Sequence, residues 1–115
     1  LMITKALESS LNKGSFVVMI SSRAGSITDN TSGGNYGYRA SKSALNSLSK
    51  TLTFEMQPKG ITVVMMHPGS VKTDMNPWGK ITEKESVTSM VEKILHLKEE
   101  DSGKFLRYDS GEIPF

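Results

Sequence analysis

Phe16-Val17-Val18-Met19-Ile20 decides how the chain folds. Five consecutive apolar residues, rich in β-branched and aromatic side chains and without polar alternation, describe a short strand covered on both faces, as in a parallel sheet. The run stops at Ser21-Ser22, and residues 23–37 are dominated by Gly, Ser, Thr, Asn and Asp, which is loop chemistry. A second run, Ile61 to Met66, has the same character and stops at the turn His67-Pro68-Gly69. Between the two runs, Leu45, Leu48, Leu52 and Met56 recur at helical spacings and are closed off by Pro58 and Gly60. Strand, helix and strand make a βαβ unit, whose chain direction requires a parallel pairing. Polar groups just past the carboxyl ends of such strands are where these sheets bind ligands.

The pattern extends both ways. Upstream, Leu1, Met2, Ile3, Ala6, Leu7 and Leu11 recur at helical spacing and Asn12-Lys13-Gly14 supplies a stop, but no capping residue precedes Leu1. The expectation is a helix entered in its middle, with residues lost upstream. Downstream, Thr82 and Glu85 form a capping box ahead of Val87, Met90, Val91, Ile94 and Leu95, and Phe105-Leu106-Arg107-Tyr108 reads as a last short strand. The predicted order is α, β, α, β, α, β: three helices and three strands in a single α/β domain over residues 1–115.

Composition narrows the function classes. The chain has 115 residues, 37% of them apolar, enough for one core. Its 14 basic and 12 acidic side chains are interspersed, so no basic stripe points to nucleic acid or to an anionic membrane. There is no cysteine, which excludes a disulfide framework, a thiolate metal site and a cysteine nucleophile together. Lys5 and Glu8 interrupt the apolar residues at the start, so these are neither a signal sequence nor a membrane span. A soluble, cytoplasmic protein acting on a small molecule, without a metal, is the expectation.

Tyr38-Arg39-Ala40-Ser41-Lys42 is the stretch with chemistry in it. A phenol and an ammonium four residues apart share one helix face. A unit charge about 4 Å from the phenol oxygen, at an effective dielectric of about 20, is worth ~4 kcal/mol before solvent and geometry reduce it. A tyrosine beside such a cation is a proton donor, because the charge favours the phenolate. Each candidate also has a plainer reading. Tyr38 and Lys42 could be a surface helix pair; Ser21 and Ser22 could merely end a strand; Thr73 and Asp74 could cap a turn; His67, with no second histidine or carboxylate cluster in support, reads as structural rather than as a base or ligand. Gly33-Gly34 with Gly37 reads as a flexible loop rather than a phosphate cradle. Met65, Met66 and Met90 are core filler on any reading.

Together ISSRAGS, NYGYRASKSALNSLSKTL and ITVVMMHPGSVKTDM resemble the catalytic, C-terminal half of the short-chain dehydrogenase/reductases, and most of all the sniffer-like and C-factor-like carbonyl reductases. The resemblance covers nearly the whole chain. It implies the C-terminal part of a Rossmann-like doubly wound parallel sheet and an oxidoreductase using NADP or NAD, with NADP favoured, on a carbonyl or alcohol substrate. By the same resemblance, Tyr38 gives the proton as hydride arrives, Lys42 eases its loss and holds the nicotinamide ribose, and Ser22 hydrogen-bonds the carbonyl, with Ser21 and Ser26 as rivals. Ser22 lies 16 positions before Tyr38, longer than in most of the family but similar to the sniffer-like group. Pro68, Gly69, Val71 and Thr73 would meet the cofactor. Two parts of the family pattern are missing: the glycine-rich first βα turn, with its ribose-selecting residue, and the catalytic asparagine. Two expectations follow. The first is a nicotinamide-dependent carbonyl reductase or alcohol dehydrogenase. The second is a truncated, non-catalytic chain acting through protein–protein association, with homo-oligomerisation open to either.

Overall fold

The two apolar runs lie side by side in a computed structural model that describes residues 1–115. They form the parallel strands β1 (Phe16–Ile20) and β2 (Thr62–His67), paired from Phe16 opposite Thr62 to Ile20 opposite Met66. The third strand, β3 (Phe105–Arg107), pairs in parallel with the other edge of β2, Met65 opposite Phe105. The sheet order is β1-β2-β3, and the helices are α1 (Met2–Leu7), α2 (Tyr36–Met56) and α3 (Glu83–Leu95). The α/β class and the element order are as the sequence predicts.

Strand alternation explains why helices sit on both faces. Val17, Met19 and Val63 pack with Leu52 and Met56 of α2 and with Leu11. Val18, Val64, Met66 and Leu106 point the other way, against Met90 and Ile94 of α3 and against Leu97. The central strand is therefore sealed on both sides: Val63, Val64, Met65 and Met66 are fully buried. Continuous hydrophobicity in β2 is the sequence trace of that double cover.

Helix ends follow local chemistry. The capping box of α3 forms as read, the Glu85 amide donating to the Thr82 hydroxyl at 3.1 Å and the Thr82 amide to the Glu85 carboxylate at 2.7 Å. After α2, a 3-10 turn over Gln57–Lys59 ends at Gly60, whose φ of 71° is left-handed. The first helix is shorter than its apolar spacing suggests: α1 stops at Leu7, gives way to a 3-10 turn over Glu8–Ser10, and buries none of its residues. Six residues without a side-chain cap make too few helical hydrogen bonds to extend the element. Ion pairs of Lys5 with Glu55 and of Glu8 with Lys59 fasten it to α2 and the turn beyond. No helix is long and apolar enough to cross a membrane.

Candidate active site

Three serines follow β1, and the structure uses them differently. The Ser21 amide donates to the Met66 carbonyl at 2.8 Å, extending the ladder one residue past the strand. Its buried hydroxyl donates to Asn46 Oδ1 of α2 at 2.6 Å. Ser26, also buried, donates to the Pro114 carbonyl and accepts from the Asp29 amide at 3.0 Å. Both hydroxyls are spent inside the fold. Ser22 is half-buried and extended, with φ −144° and ψ 146°, and caps the 3-10 turn Arg23–Gly25 by accepting from the Ala24 amide at 3.2 Å. That bond takes a lone pair and leaves the hydroxyl proton without a protein acceptor.

The turn after Ser22 docks on α2. A Cβ on Gly25 would sit 2.8 Å from Asn46 Nδ2 and from the Lys42 backbone, so only glycine permits the approach. The Ser43 hydroxyl donates to the Gly25 carbonyl at 2.9 Å, locking turn to helix. One helical turn before this contact stands Tyr38, 51% exposed, with Lys42 Nζ 5.9 Å from its ring centroid. Neither side chain is in an ion pair or a side-chain hydrogen bond; Tyr38 is exposed and Lys42 half-buried. Arg39 holds the loop before α2 instead, donating to the Gly33 and Gly34 carbonyls and to the Ser32 hydroxyl at 3.0–3.2 Å. A Cβ on Gly33, Gly34 or Gly37 would meet nothing; Gly33 and Gly34, with φ of 65° and 70°, turn an open loop, whereas Gly37, expected in that loop, lies in the first turn of α2.

The end of β2 lies beside the Ser22 turn. His67 Nδ1 accepts from the Arg23 amide at 3.2 Å. Desolvation, then the nearby positive charges of Arg23 and Arg107, push the imidazole down to about 4, outweighing Asp109 and Asp29. It is neutral near pH 7. The Pro68 carbonyl accepts from the Ser86 hydroxyl of α3 at 2.6 Å. Gly69 has φ 90°, and a Cβ there would press on Ile81 and the Tyr108 ring at 2.6–2.8 Å. Residues 70–81 then form a loop closed by a parallel bridge between Val71 and Ile81, with a tight turn in it where Thr73 pairs with Asn76. The Thr73 hydroxyl accepts from the Asn76 amide at 3.2 Å, so it caps its own turn. Met75 and Trp78 are exposed in this loop.

The sequence-predicted residues thus fall into two groups. Ser22 starts the 3-10 turn that docks through Gly25 on α2, the helix that bears Tyr38 and Lys42, and Pro68 and Gly69 follow the end of the adjacent strand. Val71 and Thr73 make their hydrogen bonds within the loop of residues 70–81. Sequence reasoning missed Gly25, Asn46 and Arg39. The signal for Asn46 is an amide side chain one turn beyond Lys42, on the inward side of a helix; its Nδ2 is buried without a partner.

Comparison with known proteins matches this architecture. The short chain dehydrogenase family model covers residues 1–94. C-signal of Myxococcus xanthus is 38% identical over 118 aligned positions, spanning all of this chain and 71% of that protein. The 1-hydroxy-2-glutathionyl-2-methyl-3-butene dehydrogenase of Rhodococcus sp. (strain AD45) is 36% identical, covering 91% of this chain and 49% of its own length. Among solved structures, the carbonyl reductase Sniffer of D. melanogaster superposes with a TM-score of 0.85 at 39% identity, over 97% of this chain and 46% of Sniffer. The NADPH-bound carbonyl reductase from chicken fatty liver gives 0.77 at 36% identity, over 99% of this chain and 48% of that one. Apart from C-signal, the chain spans about half the length of these relatives. Parallel-sheet architecture, the family model and the alignments agree: the chain belongs to the short chain dehydrogenase family.

Proposed function

We propose that the protein is an NAD(P)-dependent carbonyl reductase or alcohol dehydrogenase in which Ser22, Tyr38 and Lys42 handle the substrate oxygen. The single observation that carries this is the docking of the Ser22 turn on the helix that bears Tyr38 and Lys42, at the carboxyl edge of a parallel sheet. The association reading is not favoured, since three of the four relatives above are named as reductases or a dehydrogenase.

The residues present fit one end of a nicotinamide cofactor. Lys42 carries an ammonium with no carboxylate partner beside a half-exposed phenol, a donor set suited to ribose hydroxyls. Pro68, Gly69, Val71 and Thr73 line the path beyond the adjacent strand end. The glycine pair of the β1-to-α2 connection, Gly33-Gly34, ends a long loop rather than forming a tight turn at the strand end, so these residues fit the nicotinamide end and not the pyrophosphate. When bound, the reduced cofactor supplies the hydride. The chain's own residues manage the oxygen. Tyr38 gives its hydroxyl proton to the carbonyl oxygen as the alcohol forms, and the Lys42 charge stabilises the tyrosinate left behind. Ser22 donates its unused hydroxyl proton in a hydrogen bond to the same oxygen, where negative charge builds in the transition state.

Tyr38→Phe tests the reading in the full-length protein, with reduced-nicotinamide oxidation measured on a panel of aldehydes. The expected loss in kcat is about 10²–10⁴-fold, with an unchanged melting temperature because the hydroxyl makes no hydrogen bond in the fold. Turnover at the wild-type rate would overturn the assignment.

A further inference from the structure

The amide of Arg23 is the first N–H of a 3-10 turn and so has no acceptor within that turn. It is met from across the sheet by His67 Nδ1, at 3.2 Å, between residues 44 positions apart. The amide belongs to the Ser22–Arg23 peptide, so whatever holds it fixes ψ of Ser22. The other bond at this place, from the Ala24 amide to Ser22 Oγ, fixes the side-chain rotamer. Together they determine where the Ser22 hydroxyl points. The imidazole is itself held on the last residue of β2, in register with the strand that leads into Ser22.

We propose that His67 is a positioning residue for Ser22: its Nδ1 lone pair clamps the Ser22–Arg23 peptide and thereby sets the hydroxyl that meets the substrate oxygen. This rests on the reading of Ser22 and Tyr38 given above. An acceptor at Nδ1 places the ring proton on Nε2. Four charged groups face the ring: Arg23 and Asp29 from the turn and loop after β1, and Arg107 and Asp109 from β3 and the turn after it. Arg23 is paired with Asp29, and Arg107 with Asp109, so each cation is held near the ring by its own carboxylate. Protonation would set an N–H donor against an N–H donor and add a third cation between two guanidinium groups. The neutral ring is therefore the working form, and its low proton affinity agrees with the geometry.

The test compares His67→Leu, which removes the acceptor, with His67→Asn, whose Oδ1 takes the place of Nδ1. In the full-length protein, His67→Leu is expected to lower kcat about ten-fold while KM for the cofactor changes less than about two-fold, and His67→Asn is expected to recover most of that loss. The same bond is tested from the donor side by Arg23→Pro, which lacks the amide, against Arg23→Ala, which keeps it and loses only the Asp29 pair. Arg23→Pro is expected to lower kcat relative to Arg23→Ala, and to add no further loss in the His67→Leu background. An unchanged kcat in His67→Leu, no recovery with Asn, or an additive loss in the double variant would overturn the proposal. Should His67→Leu fail to fold, the Arg23→Pro and Arg23→Ala pair decides alone. Tyr38→Phe is assayed in parallel. If it keeps turnover, the site reading itself has failed; if it loses turnover while His67→Leu does not, only the role of His67 falls.

Discussion

At the scale of single residues, the site depends on which polar groups the fold has already consumed. Ser21 and Ser26 look equivalent to Ser22 in sequence, but their hydroxyls close buried bonds to Asn46 and to the Pro114 carbonyl. Ser22 keeps a proton to give. His67 adds a pH dependence whose sign follows from its environment. An unfolded histidine takes up a proton near pH 6.5, whereas the folded ring, desolvated and flanked by Arg23 and Arg107, does so only at about 4. Between those values the unfolded chain binds more protons, so stability rises with pH through this window. The contribution is complete above about pH 6.5 and is lost as pH falls towards 4. Because the ring is partly exposed, it is worth on the order of 1–2 kcal/mol rather than the full shift. Asp29, held below the usual carboxylate range chiefly by its hydrogen bond to Arg23, loses stability in the same direction at lower pH. Urea midpoints measured from pH 7 to 4 are expected to fall, and His67→Asn, which does not titrate, is expected to flatten that fall. Equal slopes in both proteins would refute this account.

Elements differ in how far their own sequence specifies them. The start of α3 is wholly local: Thr82 and Glu85 satisfy each other's amides three residues apart, which is why the capping box could be read without a structure. Thr82→Ala removes one side of it and is expected to cost about 1 kcal/mol, seen as a lowered melting temperature with kcat unchanged, since α3 reaches the site by a hydrogen bond from Ser86 to the Pro68 carbonyl, one turn away from Thr82. A loss of activity without a loss of stability would mean that α3 does more than support the sheet. The strands were legible for a related reason, because Phe16–Ile20 and Thr62–His67 carry double-sided hydrophobicity in their own residues. The extent of α1 was not. Its apolar spacing runs from Leu1 to Leu11, but helix length depends on caps and on tertiary cover, and neither is encoded in that spacing. The clamp on Ser22 was illegible for the strongest version of this reason. His67 and Arg23 meet only because β1 and β2 pair in register, so His67 read alone was a strand-end histidine, and its structural role could be stated but not located.

On the scale of the whole molecule, sheet and helix must be held at one distance for Ser22 and Tyr38 to serve the same oxygen, and besides the Ser43–Gly25 bond a fully buried one spans that joint. Ser21 belongs to the strand side and Asn46 to α2; both are about 2% exposed, and their 2.6 Å hydrogen bond is made one residue before Ser22. Removing one partner strands the other in a dry place, at about 1–3 kcal/mol, whereas replacing both with apolar groups of similar shape can be nearly neutral. Asn46 sharpens the asymmetry, because its Nδ2 already lacks a partner, so Ser21→Ala leaves the whole amide unsatisfied. Ser21→Ala and Asn46→Leu are each expected to destabilise by about 1–3 kcal/mol in denaturant titrations, and the double variant by less than the sum of the two. Stability and activity should separate in that double variant. The apolar pair restores the fold but not the fixed strand-to-helix spacing, so kcat is expected to stay below wild type while the unfolding midpoint recovers. Additive losses in stability would show that Ser21 and Asn46 act independently, and full recovery of kcat would show that the spacing behind Ser22 is set elsewhere.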